Sequence, residues 1–367
     1  MTQSPPGMTD LLIDAASLGD ASAFRGIGTY VRRLLAGLAL DERFSVSALV
    51  TDGTEVPAGV APVRVGRLVP PRFRPIEHDL RLPGEIRRER PDVFHSPALD
   101  PPRRSSAPWV STLHDVIPLV LDHPDLAAER RRWQRRAPRY RSAAAVIAVS
   151  RYTADEGTRA LGLDPRRVEV IPHGVGEEFS PPTGPRASDP PYLLLVGEYS
   201  ERKGYEEAFA AVGALAGRGY PHRLRVVGRV APWVKPRIDA LVAHAPQPER
   251  IDVLGFVDDL VASYQRASLL LMTSRYEGFG LPILEAMACG TPVVAFANSS
   301  ITEVAGDAGV LVPDGDVEAL VRAARAVLDD EDRWCELSER GLERAQSFTW
   351  DRSIAAHADL FSAVAGR

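Results

Sequence analysis

The sequence predicts an α/β protein made of two doubly wound, Rossmann-like domains that face each other across a cleft. Its 367 residues, 45% of them hydrophobic, are too many for one ordinary core and suit two domains. Short apolar runs alternate with helix-length amphipathic segments along the chain, as in parallel sheets covered by helices on both faces. A proline-rich linker at residues 177–191 separates two series of such runs, which predicts two domains.

The apolar runs are the predicted strands, seven before the linker and six after it. The first series comprises "DLLID" (10–14), "FSVSALV" (44–50), "PVRV" (62–65), "DVFHS" (92–96), "WVSTL" (109–113), "AAVIAVS" (144–150) and "RVEVIP" (167–172). The second comprises "YLLLVG" (192–197), "RLRVVG" (223–228), "IDVLG" (251–255), "SLLLMTS" (268–274), "PVVAF" (292–296) and "GVLV" (309–312). Two helical segments end the chain, at about 331–345 and 350–365. The predicted domains cover residues 1–180 and 190–349, and ligands should bind beyond the carboxyl ends of their strands.

Composition narrows the classes of protein that fit. The formal net charge of −5 gives no general attraction to nucleic acid. The two cysteines, Cys289 and Cys335, are too few for a disulfide framework or a metal cluster. The amino terminus lacks the basic and then apolar pattern of a signal peptide, and no apolar run approaches the roughly 20 residues of a membrane helix. We therefore expect a cytoplasmic protein, either soluble or peripheral on the inner face of the membrane.

Two loops of the first series follow predicted strands and carry candidate ligand contacts. Gly26 and Gly28 precede a predicted helix whose first N–H groups could bind phosphate, and glycine allows a close approach. The third glycine of the dinucleotide fingerprint is missing, and a plain turn fits equally well. His114 and Asp115 stand at the carboxyl end of the strand 109–113, a position that favours a functional histidine over one that only caps its neighbours.

Two loops of the second series carry charged residues. Arg202 and Lys203 lie on a tight predicted loop before a helix. Two cations beside helix-start N–H groups suit a diphosphate, because arginine binds it in a bidentate way and lysine as a point charge. A solvated charged turn is the alternative. Asp258 or Asp259, after the strand 251–255, is expected to cap the next helix.

The stretch "SRYEGFGLPILEAMACG" (274–290) holds two acids, Glu277 and Glu285, around a glycine-rich bend. Pro282 fits the first position of a helix, and Gly290 fits the position after its end. Glu285 is then expected in the first turn, where the helix dipole would lower its pKa and keep it ionised. Glu277 stays in the loop at the carboxyl end of a strand, where a carboxylate suits paired sugar hydroxyls.

Two further patterns have plain structural explanations. "DGD" (314–316) matches an Asp-x-Asp metal motif, but its position before an amphipathic segment favours an N-cap at Asp316 and a turn at Asp314–Gly315. We therefore predict no metal site. The seven arginines of Arg130–Arg141 are best explained as a solvated helix face, with a surface for an anionic membrane or an anionic acceptor as the alternative.

The stretch 274–290, followed by "TPVV", resembles the signature of the retaining glycosyltransferases of the GT-B fold, in glycosyltransferase family 4. Further motifs occur in the order of that family along nearly the whole chain. They are "RGIGTY" (25–30), "LHDVIP" (113–118), "AVSRYTADE" (148–156), "VIPHGV" (170–175), "LLVGEYSERKG" (194–204), "VLGFVDDL" (253–260) and "EVAGDAGVLVPDGD" (303–316). "GIG" together with "HDVIP" resembles the subgroup that handles mannose, rhamnose and related sugars.

The resemblance implies a nucleotide-sugar donor and a role for each candidate residue. The donor diphosphate would be contacted by Gly26, Ile27 and Gly28 from the front domain. It would be held by Arg202 and Lys203 from the back domain.

The same resemblance implies contacts to the rest of the donor. Val257 would flank the nucleobase, and Glu285 would bind the ribose hydroxyls. Glu277 would bind hydroxyls of the transferred sugar, and His114 would lie beside that sugar. The backbone that assists Glu277 would come from Phe279, Gly280 and Leu281.

The implied activity is transfer of a hexose from a nucleotide-diphosphate sugar, with GDP-mannose favoured, to a glycan, lipid-linked or small-molecule acceptor. Anomeric configuration would be retained, and no metal or cofactor would be required. The last helix, 350–367, would cross back onto the front domain, and acceptor specificity should reside in the loops 66–84 and 96–108. Two positions depart from the family pattern, because Gly204 and His173 stand where asparagine is common.

Three alternatives remain open at the level of sequence. A glycosidase could use Glu277 and Glu285 as nucleophile and acid, although the lowered pKa expected for Glu285 argues against an acid. A nucleotide-sugar epimerase of the same fold would convert the donor without an acceptor. A non-catalytic protein would bind the sugar nucleotide without turning it over.

Overall fold

The chain folds into two compact units, each with its own sheet. The structure is a computed structural model that describes residues 7–19, 26–66, 74–98, 100–184 and 188–366. The chain passes from the first unit to the second between Gly174 and Val175. It returns between Thr349 and Trp350, so the carboxyl-terminal residues belong to the first unit.

A seven-stranded parallel sheet forms the centre of the first unit, in the order β3-β2-β1-β4-β5-β6-β7. Its strands are β1 (Thr9–Asp14), β2 (Phe44–Val50), β3 (Ala61–Arg64), β4 (Val93–Ser96), β5 (Trp109–Leu113), β6 (Ala145–Ala148) and β7 (Val168–Val170). The helices that precede the crossing are α1 (Gly26–Leu38), α2 (Arg74–Glu89), α3 (Ile117–Val120), α4 (Ala127–Ser142) and α5 (Arg151–Leu161). Leu11, Leu12 and Ile13 of β1 are all buried, which is why its apolar run is continuous rather than alternating.

The second unit has a six-stranded parallel sheet in the order β10-β9-β8-β11-β12-β13. Its strands are β8 (Tyr192–Val196), β9 (Arg223–Val227), β10 (Ile251–Gly255), β11 (Leu269–Met272), β12 (Val293–Phe296) and β13 (Val310–Val312). Its helices are α6 (Tyr205–Ala216), α7 (Lys235–Ala243), α8 (Leu260–Gln265), α9 (Leu281–Ala288), α10 (Ile301–Ala305), α11 (Val317–Leu328) and α12 (Glu331–Gln346).

The carboxyl-terminal helix α13 (Trp350–Ala365) packs against α1 in the first unit. Ala358, Phe361 and Val364 of α13 share one buried core with the apolar face of α1. Gly37 on α1 makes room for Ile354 of α13, because a Cβ at position 37 would overlap the Ile354 side chain. Close packing of a glycine against a branched side chain thus fixes α13 to α1.

The predicted fold class is confirmed, since both units are parallel α/β sheets covered by helices. All thirteen predicted strands are present, and their bounds differ from the prediction by at most two residues. The helices predicted near 331–345 and 350–365 are α12 and α13. Buried parallel strands are recognisable in a sequence because both of their faces are apolar.

Each sheet contains a switch point, where the strand order reverses. In the first unit it lies between β1 and β4, and in the second between β8 and β11. Ligands of open parallel sheets bind outside the carboxyl ends of the strands at such a point. The loops that follow these strands are therefore the places where functional side chains are expected.

Candidate active site

Three charged side chains meet at the switch point of the second unit. The Lys203 ammonium donates to Glu277 Oε1 across 2.7 Å, and the Arg202 guanidinium lies 3.1 Å from Glu277 Oε2. Arg202 also donates to the backbone oxygen of Tyr276 across 2.7 Å. The loop after β8 thus supplies two cations to one carboxylate on the loop after β11.

Glu277 is an ionised carboxylate in a nearly closed environment. Burial alone would raise its pKa, but Lys203 and Arg202 outweigh that effect and lower the pKa to about 2. The side chains of Glu277 and Lys203 are each only 10% exposed. The ion pairs offset the cost of burying these charges. Because both cations are also good phosphate ligands, a diphosphate could take over their contacts from the carboxylate.

Close packing of two backbones holds the loop that carries the cations. Thr273, which follows β11, donates its hydroxyl to the backbone oxygen of Lys203 across 3.0 Å, and Arg275 N donates to Arg202 O across 2.7 Å. Gly204 has a φ of +63°, and a Cβ at this position would overlap the Thr273 carbonyl. Glycine at 204, one of the two departures from the family pattern, therefore permits the close approach of the two loops.

A third loop, which follows β12, supports the backbone around Glu277. Ser299 Oγ accepts a hydrogen bond from Glu277 N across 2.9 Å. The Ser300 hydroxyl lies 2.8 Å and 2.9 Å from the backbone oxygens of Glu277 and Phe279. Both serines were missed at the level of sequence. They follow a predicted strand at its carboxyl end, which is the position that identified the other loops.

Helix α9 begins directly after the Glu277 loop. Its N-cap is Gly280, with a φ of +101° that favours glycine, and no side chain among the described residues caps its first turn. The sequence predicted Pro282 as the first helical residue. The helix starts one residue earlier, at Leu281, so Pro282 is the second. Phe279 is buried before the cap. Gly290, with a φ of +66°, follows the helix as predicted.

The expectations for Glu285 were wrong in two respects. It is the fifth residue of α9, so it lies in the second turn and gains little from the helix dipole. Burial raises its pKa to about 7, and this effect exceeds the opposing one of the Tyr264 hydroxyl, which donates to Glu285 Oε2 across 2.6 Å. Glu285 therefore titrates near neutral pH and does not have the lowered pKa expected of it.

The remaining sequence predictions in the second unit concern loops and caps. Val257 is partly buried in the loop after β10. Asp259 caps α8 by accepting from Ala262 N across 2.8 Å, and Asp316 caps α11 by accepting from Ala319 N across 2.8 Å. Both cap predictions are confirmed.

In the first unit, Gly26, Ile27 and Gly28 form the first turn of α1 rather than a loop before it. The prediction that they precede the helix was wrong by a few residues. Helix boundaries are the feature that a sequence pattern defines least sharply. The segment 20–25, which leads into this helix, lies outside the described residues.

His114 is a buried ring at the carboxyl end of β5. Its Nε2 lies 2.8 Å from the backbone oxygen of Pro97, and because a carbonyl only accepts, Nε2 carries the proton. Burial lowers the pKa of His114 to about 4, so the ring is neutral at pH 7. Nδ1 then has a lone pair that can accept a hydrogen bond from a hydroxyl. The ring faces His173 in a stacked arrangement, with centroids 5.5 Å apart.

A histidine–aspartate pair at the end of β1 was not found from the sequence. His78 Nε2 lies 2.8 Å from Asp14 Oδ2, and Asp14 is buried while His78 is partly exposed. Asp14 raises the pKa of His78 despite the opposing effect of burial, which favours the charged form of the pair. Asp79, the residue after His78, accepts a hydrogen bond from Arg103 Nε across 2.6 Å. This contact joins the two segments in which acceptor specificity was predicted.

The arginine-rich helix α4 is largely engaged with its own unit. Arg132 and Arg136 pair with Asp100, and Arg139 pairs with Asp79. Within the described part of the chain, Arg131 and Arg135 form no ion pair and are exposed. In the part that the structure describes, no helix is both long enough and apolar enough to cross a membrane.

Comparison with known proteins gives a consistent result for both units. Residues 24–179 match the family model of Glycosyltransferase Family 4, and residues 177–347 match that of Glycosyl transferases group 1. The chain is 29% identical over 294 residues to O-antigen chain mannosyltransferase B of Escherichia coli, with 75% of each chain covered. It is 32% identical over 255 residues to 2-deoxystreptamine N-acetyl-D-glucosaminyltransferase of Streptomyces fradiae, covering 63% of this chain and 59% of the relative.

A solved structure matches the fold over almost the full length. Sucrose-phosphate synthase from Thermosynechococcus elongatus superimposes with a TM-score of 0.81 at 23% identity, covering 97% of this chain and 99% of that one. The two family models together span residues 24–347. Two parallel-sheet units and these matches define the class, and the chain is a glycosyltransferase of the GT-B type.

Proposed function

We propose that this glycosyltransferase moves a hexose from a nucleotide-diphosphate sugar to a hydroxyl of a glycan, lipid-linked or small-molecule acceptor, with retention of configuration. The observation that carries the proposal is the contact of Lys203 and Arg202 with Glu277 at the switch point of the second unit. GDP-mannose is the favoured donor, on the likeness to an O-antigen chain mannosyltransferase and on the "GIG" and "HDVIP" motifs.

The two cations serve the leaving group in this proposal. When the bond between the anomeric carbon and the phosphate oxygen breaks, the electron pair and negative charge pass to the nucleoside diphosphate. Arg202 and Lys203 stabilise that charge. In this proposal, neither the cleavage of that bond nor the stabilisation of the leaving group needs a metal. We expect turnover to be unchanged in the presence of EDTA.

Glu277 changes partners when the donor binds. Once the phosphates bind to Arg202 and Lys203, the Glu277 carboxylate is free to accept hydrogen bonds from hydroxyls of the transferred sugar. The acceptor oxygen bonds to the anomeric carbon on the face that the phosphate leaves, and its proton passes to the departing phosphate. Glu277 therefore positions the sugar and forms no covalent intermediate. Backbone groups of Phe279, Gly280 and Leu281 lie next to it in the chain and would assist.

The other donor contacts follow from the positions of single residues. Glu285, held by Tyr264, would bind ribose hydroxyls, which it can do in either protonation state. Val257 would flank the base. In the first unit, the first turn of α1 (residues 26–28) would contact the diphosphate, and Nδ1 of His114 would accept from a hydroxyl of the donor sugar.

The acceptor is expected at the switch point of the first unit. The hydrogen-bonded pair of Asp14 and His78 lies there, and the Arg103–Asp79 contact joins the neighbouring segments. We predict that His78→Gln raises the KM for the acceptor about tenfold and leaves the KM for the donor unchanged. His244→Gln, an exposed histidine in the second unit, is the matched control. Equal KM values for the acceptor in both variants would contradict this placement.

Two competing activities make different predictions. The raised pKa of Glu285 removes the earlier argument against a glycosidase, so the matches to glycosyltransferase families are what favour transfer. A glycosidase would hydrolyse a plain glycoside in the absence of any nucleotide sugar. An epimerase would convert the donor into its epimer in the absence of an acceptor.

A thermal-stability screen tests the donor assignment. GDP-mannose, UDP-sugars and dTDP-sugars are compared at equal concentrations, because a ligand at 100 times its Kd stabilises a protein by about 2.7 kcal/mol. Stabilisation by GDP-mannose and by GDP is the expected result. If only UDP- or dTDP-sugars stabilise the protein, one of them replaces GDP-mannose as the proposed donor. If no nucleotide sugar stabilises it, the proposal is contradicted.

Localisation stays a prediction as well. We expect a cytoplasmic protein, and peripheral contact with an anionic membrane would depend on the exposed Arg131 and Arg135. Flotation with phosphatidylglycerol vesicles tests this contact, with the Arg131→Gln/Arg135→Gln double variant as its control.

A further inference from the structure

Tyr30 of α1 is fully buried and lies at the centre of a group of rings in the first unit. Its ring centroid is 5.1 Å from those of His114 and His173, 5.6 Å from that of His357 and 6.4 Å from that of Trp350. His173 and Trp350 stand next to the points where the chain leaves and re-enters this unit. Tyr30 is also two residues after the first turn of α1, which we assign to the donor diphosphate.

One carbonyl fixes the direction of the hydrogen bonds around the Tyr30 hydroxyl. His357 Nδ1 donates to the backbone oxygen of Ser353 across 2.7 Å, because a carbonyl can only accept. Nε2 of the neutral His357 ring then accepts, so Tyr30 donates to it across 2.8 Å. The Thr112 hydroxyl donates to the Tyr30 oxygen across 2.9 Å and accepts from His95 Nε2 across 2.9 Å. These hydrogen bonds form a continuous series from His95 to helix α13, in which each donor is matched to an acceptor.

The same tyrosine ring sets the position of His114. The two planes meet at 80°, so the edge of one ring meets the face of the other. His173 stacks on His114 at an interplanar angle of 24°, and Pro97 accepts from its Nε2. Tyr30, His173 and the Pro97 carbonyl are therefore three contacts that restrict how the imidazole can turn.

We propose that Tyr30 is a positioning residue for glycosyl transfer, which holds the His114 imidazole against the donor sugar through a hydroxyl anchored on α13. The proposal rests on the proposed function, in which His114 Nδ1 accepts from that sugar. Loss of the hydroxyl leaves His357 Nε2 and the Thr112 hydroxyl without their partner, so the tyrosine ring loses its anchor. A shift of about 1 Å at a positioned group can cost up to about 100-fold in rate.

The structure offers a matched control for removing a tyrosine hydroxyl. Tyr140 is equally buried in the first unit, but its hydroxyl has no hydrogen-bond partner among the described residues. We expect Tyr30→Phe to lower kcat with the donor about tenfold, and Tyr140→Phe to turn over like the wild type. The Kd of GDP should stay within about twofold in both, because GDP lacks the sugar that His114 contacts. Wild-type kcat in Tyr30→Phe would overturn the proposal.

A double-mutant cycle separates positioning from general damage to the fold. His114→Ala is expected to lower kcat by at least as much as Tyr30→Phe. If Tyr30 acts through His114, adding Tyr30→Phe to His114→Ala causes less than a further twofold loss. Losses that multiply would show a separate structural role for Tyr30 and overturn the inference.

The anchor on α13 can be tested from its other side. In His357→Gln the amide oxygen can still accept from Tyr30, whereas His357→Phe offers no acceptor. We expect kcat near the wild-type value in the first and a loss like that of Tyr30→Phe in the second. A wild-type enzyme inactive with every nucleotide sugar would contradict the proposed function itself. An active wild type with an equally active Tyr30→Phe would contradict only the role of Tyr30.

Discussion

Each unit contains a cluster of buried polar side chains, and the two clusters hold their members in opposite ways. In the second unit, Glu277 and Lys203 are buried as ions that neutralise each other. In the first unit, His114, His357 and Tyr30 are buried as neutral rings joined by directed hydrogen bonds. A charged pair can exchange its partner for a phosphate. A neutral cluster instead fixes the orientation of its members, and it is sensitive to protonation.

Acid should reveal this difference with the largest effect. Burial lowers the pKa of His114 and of His357 to about 4, and it lowers the pKa of His95 and His173 well below its usual 6.5. From pH 6.5 down to about 4 the unfolded chain binds protons that the folded one excludes. The free energy of unfolding then falls by about 1.4 kcal/mol per pH unit for each histidine.

Pulsed hydrogen exchange in urea at pH 7, 5.5 and 4.5 can follow the two units separately. Peptides from α1 and α13 should lose protection at lower urea as pH falls. The Glu277 pair should persist, because its folded pKa of about 2 lies below the usual 4.5 and its contribution is lost only in that lower window. His78, with a raised pKa, contributes fully below pH 6.5 and does not alter the slope. A urea midpoint for the first unit that does not change with pH would contradict the burial of these histidines as neutral rings.

Removing one cation should have the next largest effect. We expect Lys203→Ala to lower turnover roughly 100-fold or more, since loss of one donor to a developing charge costs about 2.7–4 kcal/mol. Lys235→Ala is the control, because Lys235 forms an exposed pair with Asp239. Steady-state release of the nucleoside diphosphate measures both variants. Near-normal turnover in Lys203→Ala would show that the cation does not serve the leaving group.

Removing the Glu277 carboxylate should show whether Lys203 and Arg202 exchange Glu277 for the diphosphate or only form a structural ion pair with it. Glu277→Gln leaves Lys203 buried without its counter-ion, so we expect the free protein to lose about 3 kcal/mol of stability. GDP should then raise the Tm of Glu277→Gln by more than that of the wild type, because the diphosphate supplies the missing charge. Glu207→Gln, which breaks the pair with Arg275, is the control. An equal or smaller GDP shift would argue against exchange.

Substitution of Gly204 should have the smallest effect. It tests whether the close approach of two loops is needed to hold Arg202 and Lys203 in place. Gly204→Ala meets the Thr273 carbonyl, whereas Gly219→Ala has the same kind of positive φ and open space around its Cβ. Both variants carry the cost of an unfavourable φ, about 1–2 kcal/mol. We expect only Gly204→Ala to lower turnover as well, because its loop must move. Equal kinetics in the two variants would show that the close approach is not needed.

The sequence patterns predicted the strands and caps well, for local reasons. Buried parallel strands appear as continuous apolar runs, and Asp259 and Asp316 stand directly before amphipathic segments. The rule that ligands bind after parallel strands also led to Arg202, Lys203 and Glu277. The same rule applied to the loop after β12 would have found Ser299 and Ser300.

What could not be predicted depends on partners that are distant in sequence. The pKa of Glu285 is set by burial and by Tyr264, which no pattern around α9 indicates. The bond between Tyr30 and His357 joins residues 327 positions apart. A helix boundary misplaced by one residue was enough to assign Glu285 to the wrong turn of α9.

The proposed transfer is tested most directly by an NMR time course of GDP-mannose with the protein and a panel of glycan and lipid-linked acceptors. We expect loss of the donor, release of GDP and a new glycosidic signal with the anomeric configuration of the donor. Lys203→Ala should slow all three changes together. An inverted product, an epimerised donor, or hydrolysis of a plain glycoside without any nucleotide would contradict the proposed retaining transfer.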